Sequence, residues 1–81
     1  MKGFGENLKK ERELAGLTQS KMARLLGIKQ QQLSRWECDK VEPTLYYITR
    51  IVRLLNIPFE DLIDGLEMQE RFDLYNDRQG L

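Results

Sequence analysis

Apolar residues recur along the chain at intervals of three and four, and no stretch alternates with period two for long, so the pattern predicts helices and no strands. Phe4, Leu8, Leu14 and Ala15 place a first helix up to about Ala15, where Gly16 enters the left-handed region at little cost and stops it. Thr18 precedes the block QSKMARLL and is suited to cap a second helix by accepting a backbone N–H; Gly27 ends that helix. Residues 30–37 predict a third helix and Cys38 to Pro43 a loop. Pro43-Thr44 opens a fourth helix on which Leu45, Ile48, Ile51, Val52 and Leu55 form one apolar stripe, ending near Asn56. A short fifth helix runs from Phe59 to Ile63 and is broken by Asp64-Gly65.

The spacing between the second and third of these helices is informative. Ala23 is small enough for two helices to cross closely, Gly27 takes the tight turn between them, and Leu33 and Trp36 share the face that pins the third helix down. That arrangement is a helix-turn-helix. At 100° per residue, Gln31, Ser34 and Arg35 then point away from Leu33 and Trp36, with Gln30 at the exposed N-terminal end. Amide side chains match the N6 donor and N7 acceptor of adenine, and arginine forks onto guanine O6 and N7, so these four residues form a set that can read base edges.

Length and composition narrow the field. With 81 residues, 41% of them hydrophobic and 32% charged, the chain is expected to form one small folded domain. The division expected is a domain over residues 1–65 followed by an acidic tail over 66–81. No apolar stretch approaches the roughly 20 residues of a membrane span, and the first residues lack a signal-peptide core, so a cytoplasmic location and no membrane partner are expected. With one cysteine, Cys38, and no histidine, neither a disulfide nor a metal or other cofactor is expected. No enzymatic constellation is present either: there is no histidine base, Cys38 sits between Glu37 and Asp39, and no glycine-rich phosphate loop appears. The net charge of zero conceals a split, since residues 1–58 hold eleven basic and six acidic side chains and residues 59–81 hold two and seven. A basic body with an acidic tail is compatible with a polyanion bound through the first part. Within the tail, Met68, Phe72 and Tyr75 stand at helical spacing, which is compatible with a sixth helix; the segment either packs on its own domain, frays, or extends a dimer contact.

The chain resembles the phage-repressor or Cro-type helix-turn-helix family, also called the xenobiotic-response-element family. The resemblance covers about residues 5 to 63 and is carried by GLTQSKMARLLGI for the second helix and turn, QQLSRWE for the third helix, and EPTLYYITRIVRLLNIPFEDLI for the closing helices. It implies an all-α, five-helix lambda-repressor-like bundle acting as a sequence-specific transcriptional regulator, with repression as the expected outcome. It also implies double-stranded operator DNA as the partner, bound by a homodimer. By position, Gln30 resembles the adenine reader, with Gln31, Ser34 and Arg35 beside it. Thr18, Gln19, Lys29, Gln32 and Lys40 fall to the phosphate backbone, and Gln19 is expected to bond Gln30 and hold it before contact. Arg12 and Glu37 match an internal pair tying the first helix to the end of the third. Ile57, Pro58 and Phe59 match the region where related repressors meet. Four departures stand out: Lys29 occupies a position where a capping Ser or Thr is common, ECDKVEP replaces a loop that usually holds Asn-Gly, Val41 and Glu42 stand where relatives often hold basic or neutral polar residues, and Glu11 replaces a usually apolar residue. The rival reading is an antitoxin or adaptor on the same fold, whose acidic tail holds a protein partner.

Overall fold

Among the described residues five helices follow one another: α1 (Phe4–Leu14), α2 (Gln19–Leu26), α3 (Gln30–Glu37), α4 (Leu45–Leu55) and α5 (Glu60–Ile63). The computed structural model describes residues 3–66, all of whose regular structure is helical. Met68, Phe72 and Tyr75, whose spacing is compatible with a sixth helix, lie outside the described residues. No helix among those described is long and apolar enough to cross a membrane.

The helix boundaries follow the expected local chemistry. Thr18 caps α2 by accepting the Lys21 amide at 3.1 Å, and Thr44 caps α4 by accepting that of Tyr47 at 3.4 Å. Gly16, Gly27 and Asn56 all take positive φ just past a helix, at 76°, 72° and 54°. Lys29 caps α3 with no side-chain bond, as its chemistry requires.

The core is a single cluster built on Phe4, Leu8, Met22, Ala23, Leu26, Leu33, Trp36, Ile51, Leu55 and Leu62. Two expectations about it need correction. Leu14 is 75% exposed and Ala15 is the exposed C-cap of α1; the inward position after Phe4 and Leu8 belongs instead to Arg12, four residues on, with Glu11 half-buried beside it. Leu45 is 78% exposed, because it lies off the face of α4 that carries Ile51 and Leu55; the inward position of that first turn belongs to Tyr47, its ring 5.4 Å from that of Trp36. Tyr46 stays at the rim, edge-on to Tyr47.

Three contacts not evident from hydrophobic spacing fix how the helices meet. The α1 helix begins against the end of α3, where Asp39 accepts the amides of Gly3 (3.1 Å) and Gly5 (2.8 Å). A carboxylate at the positive end of α1 is well placed, and two bonds offset the cost of holding Asp39 at φ 58°. Thus the aspartate in ECDKVEP does the turning of the usual glycine and caps a distant helix as well. Asn7 donates to the carbonyls of Leu62 (3.0 Å) and Asp64 (2.7 Å), joining α1 to α5. Arg50 donates to the carbonyls of Leu26 (2.8 Å) and Leu25 (3.4 Å), closing the C-terminal end of α2.

Gly5 permits the closest of these approaches: a Cβ there would overlap the carbonyl of Glu37 and stand 2.6 Å from that of Trp36. Alanine favours a helix over glycine by about 1 kcal/mol, but Gly5→Ala should still destabilise the domain, by about 1–3 kcal/mol net, since backbone must move. Urea unfolding checks this; a stabilised variant would mean that α1 does not pack so closely on α3.

Candidate nucleic-acid interface

The helix-turn-helix geometry begins with burial. Met22, Ala23 and Leu26 on α2 and Leu33 and Trp36 on α3 are buried, and Gly27 makes the turn between them, so the opposite face of α3 is left outside. Gln30, Gln31, Gln32 and Arg35 are exposed on it, with Lys29 and Lys40 exposed at its two ends. Ser34 is half-buried, on the flank nearer Gln30. Lys29, Gln31, Gln32, Arg35 and Val41 line an open depression of about 300 Å³. Val41, a departure from the family pattern and not an expected DNA contact, is 48% exposed in this depression.

Behind this face lies the ion pair expected between Arg12 and Glu37. The two residues are 7% and 8% exposed, and Arg12 Nε stands 2.7 Å from Glu37 Oε2 while Nη2 reaches Oε1 at 3.2 Å. The remaining Nη1 donates to the Leu17 carbonyl at 2.7 Å, holding the loop that leads into α2. The hydrogen bond to Glu37 raises the Arg12 pKa above the ordinary arginine range; burial opposes this, and the charges of Glu37 and Glu13 add to the rise. A base with a raised folded-state value contributes its full stabilisation below its unfolded value and loses it only as pH climbs through the folded one. Arg12 therefore stays charged, and its contribution constant, throughout the neutral range.

Two further bonds connect the ion pair to the exposed face. Gln19 donates from Nε2 to Glu37 Oε1 at 3.0 Å, and its Oε1 accepts from Gln30 Nε2 at 3.4 Å. The expected Gln19–Gln30 contact is thus present, and it is anchored in the core. Thr18 uses its hydroxyl oxygen as the α2 cap. Of the basic residues in the first part of the chain, Arg12 and Arg50 are engaged internally, Arg50 also lying 5.7 Å from the Tyr46 ring centre and 6.0 Å from that of Tyr47. Lys29, Arg35 and Lys40 remain exposed around α3, and Lys21 and Arg24 on α2. Cys38 is an exposed free thiol. In the turn between α4 and α5, Ile57 is half-buried, Pro58 is exposed and Phe59 is 43% exposed.

A small helical domain whose second and third helices cross at a glycine turn, leaving a polar face outside, is a helix-turn-helix domain. The chain belongs to the Helix-turn-helix family HTH_3, which matches residues 8–62. It is also similar to the SPbeta prophage-derived uncharacterized HTH-type transcriptional regulator YonR of Bacillus subtilis (strain 168), with 39% identity over 71 residues. That alignment takes in 88% of this chain and 64% of the relative, so the chain spans about two thirds of the length of the protein it matches. No solved structure matches the chain.

Breaking the ion pair from one side tests its standing. Arg12→Met leaves the Glu37 carboxylate buried without its cation and should cost about 3–5 kcal/mol in chemical unfolding. Adding Glu37→Met removes the stranded charge, so the double variant should be less destabilised than the sum of the two single changes. Additive losses would mean that the pair is not coupled.

Proposed function

We propose that the protein is a sequence-specific double-stranded DNA-binding transcriptional regulator that places α3 in the major groove. The observation that carries this reading is the outer face of α3, where Gln30, Gln31 and Arg35 stand exposed between Lys29 and Lys40 on a helix held rigid from behind. Gln30, Gln31 and Arg35 read bases, with Ser34 at the flank. Lys29, Gln32 and Lys40, together with Thr18 and Gln19 at the start of α2, meet the phosphates that set register. Family membership and the name of the Bacillus relative support the same reading, and both favour regulation of transcription. Repression is the simplest outcome for a domain that occupies DNA.

Alanine substitution separates the two kinds of contact. Gln30→Ala or Arg35→Ala should cost about 1–3 kcal/mol on the best duplex selected from a random pool and relax preference at one position, whereas Lys40→Ala should weaken all duplexes alike. Uniform losses from all three would reject base reading, and failure to select any duplex would favour the adaptor alternative.

The regulator acts as a homodimer on a two-fold site, because one short recognition helix covers too few base pairs for useful specificity and two helices about 34–36 Å apart enter successive major grooves. Ile57, Pro58 and Phe59 supply the contact; Met68, Phe72 and Tyr75 extend it from the acidic tail. Phe59→Glu should abolish self-association in sedimentation and weaken binding to a palindrome more than to a single half-site. Unchanged association would place the dimer contact elsewhere.

A further inference from the structure

We propose that Glu37, buried and out of reach of DNA, determines which way up the Gln30 amide is presented to a base, acting through Gln19. The inference rests on the reading of α3 as the base-reading element and adds a positioning residue for specificity behind it.

An amide has nearly the same shape either way up, so its partners choose its orientation. An ionised carboxylate only accepts hydrogen bonds. Glu37 takes Arg12 on both oxygens, at 2.7 and 3.2 Å, and Gln19 Nε2 on Oε1 at 3.0 Å. Gln19 must therefore turn its nitrogen inward and its oxygen outward. The outward oxygen accepts Gln30 Nε2 at 3.4 Å, which fixes the second amide in turn. The direction of donation thus runs one way, from Gln30 through Gln19 to the carboxylate. Gln30 keeps its Oε1 and its second N–H side by side on one edge. This acceptor and donor match the N6 and N7 groups of adenine. Turned over, the two would exchange places and oppose like to like. Arg12 holds the carboxylate but does not itself set the direction, since any cation that keeps Glu37 ionised and in place leaves it an acceptor.

Three variants separate direction from stability. Glu37→Gln puts at the centre an amide that can donate or accept, Gln19→Met cuts the connection while leaving the ion pair intact, and Arg12→Lys weakens the ion pair while keeping the carboxylate. Each is measured on the selected duplex and on its three variants at the base pair whose preference Gln30→Ala removes. Wild type should discriminate there by roughly 5- to 150-fold. Glu37→Gln and Gln19→Met should lower that ratio by about tenfold or to unity, whereas Arg12→Lys should preserve it even where overall affinity falls. If Gln19→Met keeps the wild-type ratio, or Arg12→Lys loses as much of it as Glu37→Gln, the proposal is overturned. Gln19→Met carries the test should Glu37→Gln fail to fold. The side-chain amide signals of Gln30 in the DNA-free protein give a second readout: in wild type the one proton bonded to Gln19 exchanges more slowly than its geminal partner, and in Gln19→Met that difference is lost. If no duplex is bound at all, the reading of α3 has failed, and these signals still show whether Gln30's orientation depends on the relay.

Discussion

A guanidinium and a carboxylate are tolerated out of water only together and only when their remaining hydrogen-bonding groups are used, and the Arg12–Glu37 pair meets both conditions. Arg12 extends from α1 and Glu37 closes α3, so the pair sets where those helices meet. Through the Leu17 carbonyl it also holds the approach to α2. Around it the backbones come close enough that Gly5 admits no side chain, and Asp39, two residues beyond Glu37, caps the start of α1. The charge on Glu37 then reaches the surface through Gln19 to Gln30. A pair of this kind adds little net stability against a hydrophobic replacement. What Glu37 supplies is an acceptor of fixed sign behind the amides of Gln19 and Gln30, which could otherwise turn over.

Sequence made some parts of this legible and left others hidden. Caps and turns came out well because Thr18, Gly16, Gly27 and Asn56 act on backbone within a few residues of themselves. Buried positions in mid-helix came out well because Leu33, Trp36, Ile51 and Leu55 follow a period that survives any tertiary arrangement. Helix ends did not: Leu14 and Leu45 are apolar, yet each lies off the face that its own turn directs inward, where Arg12 and Tyr47 stand instead. Contacts distant in sequence were also hidden where residue type gives no sign of them. Nothing in Asp39 indicates that it caps a helix beginning at Phe4, nothing in Gly5 indicates a neighbour at Glu37, and nothing in Arg50 distinguishes it from the other basic residues although it bonds the end of α2. The Arg12–Glu37 and Gln19–Gln30 contacts were anticipated through family resemblance. The bond between Gln19 and Glu37 that makes them one network was not.

Charge follows the same logic. A basic surplus read from sequence overstates what a partner would meet, because Arg12 and Arg50 are engaged inside the fold. What remains near α3 is a smaller set, Lys29, Arg35 and Lys40, concentrated where exposed amides lie between them. Local placement matters more than net charge here, since screening limits exposed charges to a range of about 10 Å at moderate salt. The depression lined by Lys29, Gln31, Gln32 and Arg35 adds one apolar side chain, Val41, beside these charges.

Whether the outer face of α3, backed by the buried ion pair, is the surface that meets DNA is read from an amide chemical-shift titration of the isotope-labelled protein with its selected duplex, following backbone and glutamine side-chain signals together. The largest changes should fall on Gln19 and on Gln30 to Lys40, with the Gln30 side-chain amide among the strongest and the α4–α5 turn moving only through self-association. Changes centred on α4 or α5, with α3 unmoved, would contradict this placement.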